Sequence, residues 1–291
     1  MNSKKKIIAW WSGGVTSAVA CKMSIDMFGL ENTTIIFMDT KNEHADTYRF
    51  KADCEKWYGK EIETATRLGK KFNSIQDVWY KSKSLNVASG AICSSELKRQ
   101  LRIELEKTLV YDYEAFGFDI DEPKRAKAMK LNYPKAKPCF PLLFEGLSKK
   151  HCIEIIQEAG IEIPEAYKLG FHNNNCLGTG CVQGGIGYWQ KMQRDFPDKF
   201  NAMAKVEHDL TDLSGEPVTM LKDQGKEGGL VFLIPHPKYP TLKHIGQMKG
   251  RPPKPLMECN GFCSLNDLNK NETELEINYA KPSIKNQTSL F

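Results

Sequence analysis

The chain has 291 residues, of which 41% are hydrophobic and 26% charged, and its formal net charge is +5. These values are ordinary for a soluble globular protein, and the charge permits an anionic substrate without requiring one. No apolar run approaches the roughly 20 residues of a membrane span, and the N-terminal run is too short for a secretion signal. We therefore expect a cytoplasmic protein without a membrane partner, whose nine cysteines do not form a disulfide framework.

The first predicted elements alternate between strand and helix. Residues 6–11 form a short apolar run that ends at Ser-Gly-Gly, which is typical of a buried parallel strand. Residues 15–28 carry apolar side chains at helical spacing, and Gly29 marks the end of that helix. A strand rich in β-branched residues at 33–38 and a helix at about 45–58 follow. This alternation predicts a doubly wound α/β fold with a parallel sheet and right-handed crossovers.

The later elements are less regular in sequence. Residues 94–109 resemble a basic amphipathic helix, for which Ser94 or Ser95 is the expected N-cap. Residues 110–118 are expected to form a later strand, and residues 148–159 another helix. From residue 170 onward, asparagines, glycines and prolines become frequent, which predicts a smaller, loop-rich C-terminal part.

The segment between the first strand and the first helix suits phosphate binding. Without side chains, the backbone at Gly13 and Gly14 can approach phosphate oxygens, and the following helix directs its positive dipole end at them. Ser12, Thr16 and Ser17 add hydroxyl donors. The loop is neither a Walker A sequence nor a dinucleotide fingerprint. A tight turn without a ligand is the alternative interpretation of these residues.

The loop sequence SGGVTS resembles the S-G-G-x-[DT]-S loop of PP-loop ATP pyrophosphatases. Asp39-Thr40, followed by Asp46-Thr47, resembles the D-T-G and E-T motifs of the phosphoadenosine phosphosulfate (PAPS) reductase-like branch of that superfamily, with Lys41 in place of the usual glycine. The resemblance implies an adenine nucleotide alpha hydrolase-like sheet. It also implies that ATP or PAPS binds on residues 12–17, with Asp39 near the nucleotide or its Mg²⁺.

Two further segments resemble the same branch. Cys93 with Leu97-Lys98 resembles a C-x-x-x-L-K element at the start of a substrate-side helix. Gly117 with Glu122 and Arg125 resembles a G-x-R-x-x-E-S-x-x-R segment. The resemblance therefore implies that Lys98, Glu122 and Arg125 contact the nucleotide.

The second of these segments departs from the family pattern. Asp119 stands where the pattern has its first arginine, and Pro123 replaces the serine. A carboxylate repels the anion that an arginine attracts. The departure therefore counts against recognition of a sulfate-bearing nucleotide.

Four cysteines form two close pairs, Cys176 with Cys181 and Cys259 with Cys263, each in a turn that contains glycine or asparagine. Tetrahedral coordination by four thiolates suits Zn²⁺ or an iron–sulfur cluster. Iron–sulfur proteins and thiol-dependent reductases both occur in the family that the chain resembles. In the second case Cys259, within Glu-Cys-Asn-Gly, is a catalytic nucleophile and not a ligand. Four unrelated cysteines, two of them buried, are the remaining alternative.

The predicted organisation has three parts. Residues 1–170 form the nucleotide-binding domain, residues 171–263 form the cysteine-containing C-terminal part, and residues 264–291 form a polar tail that we expect to be poorly ordered.

The resemblance predicts an enzyme that adenylates a substrate with release of pyrophosphate, for sulfur transfer. The expected catalytic residues are Asp39 and Cys259. A PAPS reductase-type enzyme that uses a thiol, and a non-catalytic nucleotide-binding module, are the alternatives. The acceptor is a nucleic acid or a small molecule, and the basic segment 124–137 favours the former.

Overall fold

The structure is a computed structural model that describes residues 5–87, 90–225 and 228–256. Cys259, Cys263 and the predicted tail at 264–291 lie outside these residues. Within them, no helix has the length and apolar character needed to cross a membrane.

Ten short strands and eleven α-helices, one of which continues through a π-helical turn, account for most of the regular structure described. The strands are β1 (Ile7–Trp11), β2 (Thr33–Met38), β3 (Glu63–Ala65), β4 (Asn86–Val87), β5 (Gly90–Ala91), β6 (Tyr113–Ala115), β7 (Pro138–Cys139), β8 (Leu221–Lys222), β9 (Leu230–Phe232) and β10 (Lys243–His244). The helices are α1 (Val15–Phe28), α2 (Ala45–Tyr58), α3 (Ile75–Ser82), α4 (Ile92–Ser94), α5 (Gln100–Glu106), α6 (Pro123–Asn132), α7 (Pro141–Phe144), α8 (Lys149–Glu158), α9 (Glu165–Lys168), α10 (Ile186–Asp195) and α11 (Pro197–Ser214).

A five-stranded parallel sheet in the order β3-β2-β1-β6-β7 forms the centre of the fold. Every residue of β1 is buried, because helices cover both faces of the sheet and strands of such sheets are apolar throughout. One face packs on α1, α2 and α8, and the other on α5 and α6. The predicted α/β parallel-sheet fold is confirmed.

The first four elements have the predicted bounds to within one residue. Helix α1 ends at Gly29, whose φ of +89° is a backbone angle that glycine adopts without strain. Helix α2 is capped by His44, whose Nδ1 accepts a hydrogen bond from the Asp46 amide at 3.3 Å. The helix predicted at 148–159 is also present as α8, with Ser148 as its N-cap.

Two later predictions need correction. The helix predicted at 94–109 begins at Ile92 with Ala91 as its N-cap and continues through a π-helical turn, Ser95–Arg99, into α5. Ser94 and Ser95 are therefore inside the helix, because the β4–β5 hairpin leads directly into it. The strand predicted at 110–118 comprises only β6, since Val110 is 81% exposed and the neighbouring edge strand β7 has only two residues.

The C-terminal part contains the predicted loops and also two helices, α10 and α11, that the sequence analysis did not identify. These helices pack with α3 and with the small sheet β10-β9-β8 in one hydrophobic cluster. The cluster therefore combines residues 72–97 with residues 166–245. The proposed boundary at residue 170 stays a prediction.

Candidate functional site

The loop between β1 and α1 is closed by its own hydroxyl groups. Ser17 Oγ donates a hydrogen bond to Gly14 O at 2.9 Å and accepts bonds from Ser12 N and Ser12 Oγ, both at 3.0 Å. Gly13 has a φ of +88°, and a Cβ atom there would lie 3.0 Å from Thr47 Cγ2. Both the backbone angle and the space therefore favour glycine.

The loop lies at the N-terminus of α1, where backbone amides and the helix dipole attract anions. Gly14 is the N-cap and contributes no side-chain hydrogen bond to the first turn. Thr16 and Ser17 are buried. The first amide of the helix, Val15 N, donates to Tyr167 Oη at 3.3 Å. The structure thus brings the five predicted phosphate-loop residues together in one turn.

Gly117, which follows β6, lies directly on this turn. A Cβ atom at residue 117 would stand 2.7 Å from both Ser17 N and Ser17 Cα. Such distances are far inside van der Waals contact, so that only glycine fits. This gives Gly117 a steric role that its sequence motif does not reveal.

Asp39 follows the end of β2, the strand next to β1 in the sheet. Its side chain is buried, and Oδ1 accepts hydrogen bonds from Lys41 N at 2.7 Å and from Tyr48 Oη at 3.0 Å. Lys41 Nζ lies 2.8 Å from Oδ2. Lys41 has a φ of +54°, so the residue that replaces the family's glycine adopts the left-handed backbone that glycine favours.

Tyr48 is a hydrogen-bond donor to Asp39 under all ordinary conditions. Burial, followed by the negative charge of Asp39, raises the pKa of Tyr48 well above its usual value. The phenol therefore stays protonated and orients the carboxylate. Tyr48 was not among the predicted site residues, and its place three residues into a helix gave no sign of this contact.

Lys98 lies in the π-helical turn and is almost fully buried. Its Nζ atom is 3.7 Å from Glu43 Oε1, which also accepts a hydrogen bond from Thr40 Oγ1 at 3.0 Å. Cys176 Sγ lies 3.5 Å from Thr40 Oγ1 and 3.9 Å from Glu43 Oε1. Glu43, which the sequence analysis missed, therefore contacts both of the predicted residues Lys98 and Cys176. Single-turn π-bulges of this kind are frequent at functional sites.

Glu122 and Arg125 form an ion pair at the start of α6. The guanidinium of Arg125 lies 4.4 Å from the ring centre of Phe118, and Glu122 Oε2 accepts a bond from Asp119 N at 3.4 Å. Beside them is a cavity of about 310 Å³, whose lining consists of Asp119, Asp121, Glu122, Lys149, His172, Asn173, Pro255 and Leu256. Three carboxylates therefore line the cavity, and one of them, that of Asp119, stands where the family pattern has an arginine.

Only two of the four predicted metal ligands lie within the described residues. Cys176 is half-buried and Cys181 is buried, and neither forms a disulfide there. In those parts of the chain, no group of three or more His, Cys, Asp or Glu side chains could hold a metal ion. Cys259 and Cys263 lie outside them, so the metal site and the catalytic role of Cys259 stay predictions.

The segment from Asn173 to Thr179, here called the asparagine loop, was missed as a functional element. Gly178 N donates to Asn42 O at 2.9 Å, and Asn42 Nδ2 donates to Thr179 Oγ1 at 2.8 Å. A Cβ atom at Gly178 would lie 2.6 Å from Asn42 Oδ1. The loop is therefore packed tightly against the residues that follow β2.

Comparison with solved structures finds similar chains, and the three described here are each at most 16% identical to this one. PAPS reductase from Candida auris, in a phosphate complex, is 15% identical with a TM-score of 0.45, over 60% of this chain and 83% of that one. The U34-tRNA thiolase NcsA from Methanococcus maripaludis, with its [4Fe-4S] cluster, is 16% identical with a TM-score of 0.41, over 71% and 73%. NMN synthetase from Francisella tularensis is 12% identical with a TM-score of 0.37, over 72% and 87%.

A search of curated proteins finds no match. The family model of the phosphoadenosine phosphosulfate reductase domain matches residues 6–108. That segment contains the phosphate loop, Asp39 and Lys98. Residues 6–108 therefore match the phosphoadenosine phosphosulfate reductase domain, the family that the sequence motifs resemble.

Proposed function

We propose that the protein binds ATP on residues 12–17 and transfers AMP to a substrate with release of pyrophosphate, which activates that substrate for sulfur transfer. The observation that carries this proposal is the position of the phosphate loop and Asp39 at the ends of adjacent strands, where Trp11 pairs with Phe37. Ligands of open α/β sheets bind outside the carboxyl ends of the strands.

The phosphate loop supplies electrostatic stabilisation for phosphates. The loop amides and the positive end of α1 favour the negative charge that develops on the departing pyrophosphate. A nucleophilic atom of the substrate attacks the α-phosphorus, and the bond from that phosphorus to the bridging oxygen of pyrophosphate breaks. A sulfur nucleophile then displaces AMP from the adenylated substrate.

The surroundings of the Asp39 carboxylate suit the binding of Mg²⁺. Its carboxylate is buried at the strand end, and Oδ2 faces the amine of Lys41, a side chain that is itself 56% exposed. A carboxylate with one oxygen held by a flexible surface lysine suits a hard cation. Mg²⁺ bound with the nucleotide would neutralise phosphate charge, while Tyr48 keeps the carboxylate oriented.

Asp119 favours ATP over PAPS as the nucleotide. Its side chain is buried beside the cavity described above, and a carboxylate there disfavours binding of a nearby 3′-phosphate or sulfate group, which PAPS carries and ATP lacks. The family match over residues 6–108 favours the reductase alternative, in which a thiol attacks the sulfur of PAPS. A nucleotide-binding module without catalysis remains the third candidate.

The sulfur chemistry has one candidate group within the described residues. Cys176 Sγ lies beside the loop that follows β2, within 3.9 Å of Glu43. This position supports either a thiol that handles sulfur or one ligand of the predicted cluster. A tetrahedral site needs four ligands, so the proposed adenylation is assigned to the phosphate loop and Asp39 alone.

The test is incubation of the anaerobically purified full chain with Mg²⁺ and radiolabelled ATP or PAPS, with and without a dithiol and with and without RNA or DNA. Asp39→Asn is the active-site variant. Asp198→Asn, at an exposed position in the first turn of α11, is the matched control. We expect AMP and pyrophosphate from ATP, and a rate lowered about a hundredfold in Asp39→Asn alone.

Conversion of PAPS to sulfite with dithiol and without ATP turnover would overturn the adenylation proposal in favour of the reductase. Tight nucleotide binding without any product under all conditions would favour the non-catalytic module. Stimulation of AMP release by RNA or DNA, lost at high salt, would identify a nucleic acid as the acceptor.

A further inference from the structure

Asn174 connects the asparagine loop to the phosphate loop. Its Nδ2 atom donates hydrogen bonds to Gly13 O at 2.9 Å and to Thr47 Oγ1 at 3.0 Å. The side chain is 4% exposed. Gly13 is part of the phosphate loop and Thr47 is in α2, so one amide group links three segments of the chain.

The bond to Gly13 O fixes the direction of a phosphate-binding amide. In a trans peptide the carbonyl of one residue and the N–H of the next point in opposite directions within one plane. When Asn174 holds the Gly13 carbonyl, it therefore also fixes the Gly14 N–H, which points in the opposite direction within the same plane.

A second observation concerns the side-chain oxygen of Asn174. Asn174 Oδ1 is fully buried and has no hydrogen-bond partner within the described residues. An unsatisfied buried acceptor lowers stability, and such atoms in native proteins usually find a partner in water or a ligand. The unpaired oxygen is therefore available to a hydrogen-bond donor that a bound ligand brings.

The asparagine loop also contacts the second nucleotide-binding segment. Two residues after Asn174, Cys176 Sγ lies 3.5 Å from Thr40 Oγ1, and Gly178 N donates to Asn42 O. One loop thus holds both the phosphate loop and the residues that follow Asp39. This loop lies outside the segment that matches the reductase family.

We propose that Asn174 is a positioning residue of the nucleotide site, which holds the Gly13–Gly14 peptide in the orientation that binds phosphate. The inference rests on the proposed function, in which residues 12–17 bind the phosphates of ATP. It assigns a part of the nucleotide site to the asparagine loop, beyond the motifs that the sequence analysis used.

The test is calorimetric titration of the full-length protein with Mg-ATP and with adenosine, for the wild type, Asn174→Ala and Asn174→Asp. Asn32→Ala is the matched control, because Asn32 is a half-buried asparagine whose Nδ2 also donates to a backbone carbonyl, that of Phe28 at 2.9 Å, at the opposite end of α1 from the phosphate loop. Circular dichroism and thermal unfolding establish that each variant is folded.

We expect the Kd for ATP to rise about tenfold or more in Asn174→Ala, with the Kd for adenosine within about twofold of the wild-type value. Asn174→Asp, which keeps the shape of the side chain, weakens ATP binding further, because an ionised carboxylate cannot donate to Gly13 O and repels phosphate. Asn32→Ala binds both ligands as the wild type does.

Equal ATP affinity in wild type and in folded Asn174→Asp would overturn the role of Asn174 while leaving the proposed function intact. Equal losses for ATP and adenosine would also overturn it, since a phosphate-positioning residue acts on the phosphate-dependent part of the affinity. If the wild-type protein binds adenosine and Mg-ATP with equal affinity, the phosphates contribute nothing to binding. That result would overturn both the proposed function and this inference.

Discussion

The backbone of Gly117 packs directly against the backbone of Ser17. A Cβ atom at residue 117 would lie 2.7 Å from Ser17 N and Cα, so no side chain fits between them. The φ of Gly117 is not in the left-handed region, so the requirement for glycine is steric. A residue after β6 thereby limits how the phosphate loop can sit at the end of β1.

We expect Gly117→Ala to displace the first turn of α1 and to weaken ATP binding by about tenfold or more, with a loss of about 1–3 kcal/mol in the free energy of unfolding. Gly250→Ala is the control, because residue 250 also lacks a positive φ and a Cβ there meets nothing within 4 Å. Titration with Mg-ATP and urea unfolding measure the two effects. Unchanged ATP affinity in Gly117→Ala would contradict the steric role.

A second prediction concerns the choice between ATP and PAPS. Asp119→Asn removes one negative charge without changing the size of the side chain, which is 5% exposed. We expect the affinity for PAPS to rise about threefold or more relative to that for ATP, since the carboxylate no longer repels the 3′-phosphate and sulfate groups that ATP lacks. Competition binding with both nucleotides measures this ratio. Asp198→Asn serves as the exposed control, and an unchanged ratio in Asp119→Asn would remove Asp119 as a specificity determinant.

The predicted metal site can be tested at Cys176, which is half-buried. If Cys176 is a ligand, Cys176→Ser lowers the iron or zinc content of anaerobically purified protein about tenfold or more, because a serine hydroxyl is a poor substitute for a thiolate. Cys152→Ala is the control, since Cys152 lies fully buried in the core cluster around α1. Elemental analysis of the wild type and the variants measures this iron and zinc content. Equal metal content in wild type and Cys176→Ser would rule out Cys176 as a ligand.

The first half of the fold could be predicted because its signals are local. An apolar run, a glycine pair and a helical repeat specify β1, the phosphate loop and α1 in consecutive residues. The missed helix α11 had a local signal too, since Pro197 occupies its first turn, where proline favours a helix start. The sequence analysis interprets the prolines of this region as a sign of loops, and so misses this helix.

The contacts that complete the site could not be predicted in the same way. Asn174 is 161 positions from Gly13, and Cys176 is 133 positions from Glu43. Neither spacing has a periodicity or motif that links the partners, so only the folded chain brings them together. The same holds for Gly117, whose need for glycine depends on Ser17, a residue on another element.

Glu207 gives the protein a pH-dependent stability that is separate from the site. Its carboxyl group is fully buried in α11 and accepts backbone bonds from Met220 N at 2.9 Å and Leu233 N at 2.7 Å. Burial raises the pKa of Glu207 to about 8, against about 4.3 in an unfolded chain. Between these values the folded state holds a proton that the unfolded state has lost. The free energy of unfolding contributed by Glu207 is therefore complete below about pH 4 and falls as the pH rises through 8.

We expect Glu207→Gln to flatten this part of the pH profile, because the amide does not titrate. At pH 5 the variant is less stable than the wild type by about 1 kcal/mol, since the amide nitrogen cannot accept one of the two backbone bonds. The wild type loses about 1.4 kcal/mol of unfolding free energy per pH unit between about pH 5 and 8, so that the variant is the more stable protein at pH 8.5. Urea unfolding at several pH values measures the slopes, with Glu216→Gln at an exposed position as the control. Parallel profiles for wild type and Glu207→Gln would show that Glu207 does not titrate in this range.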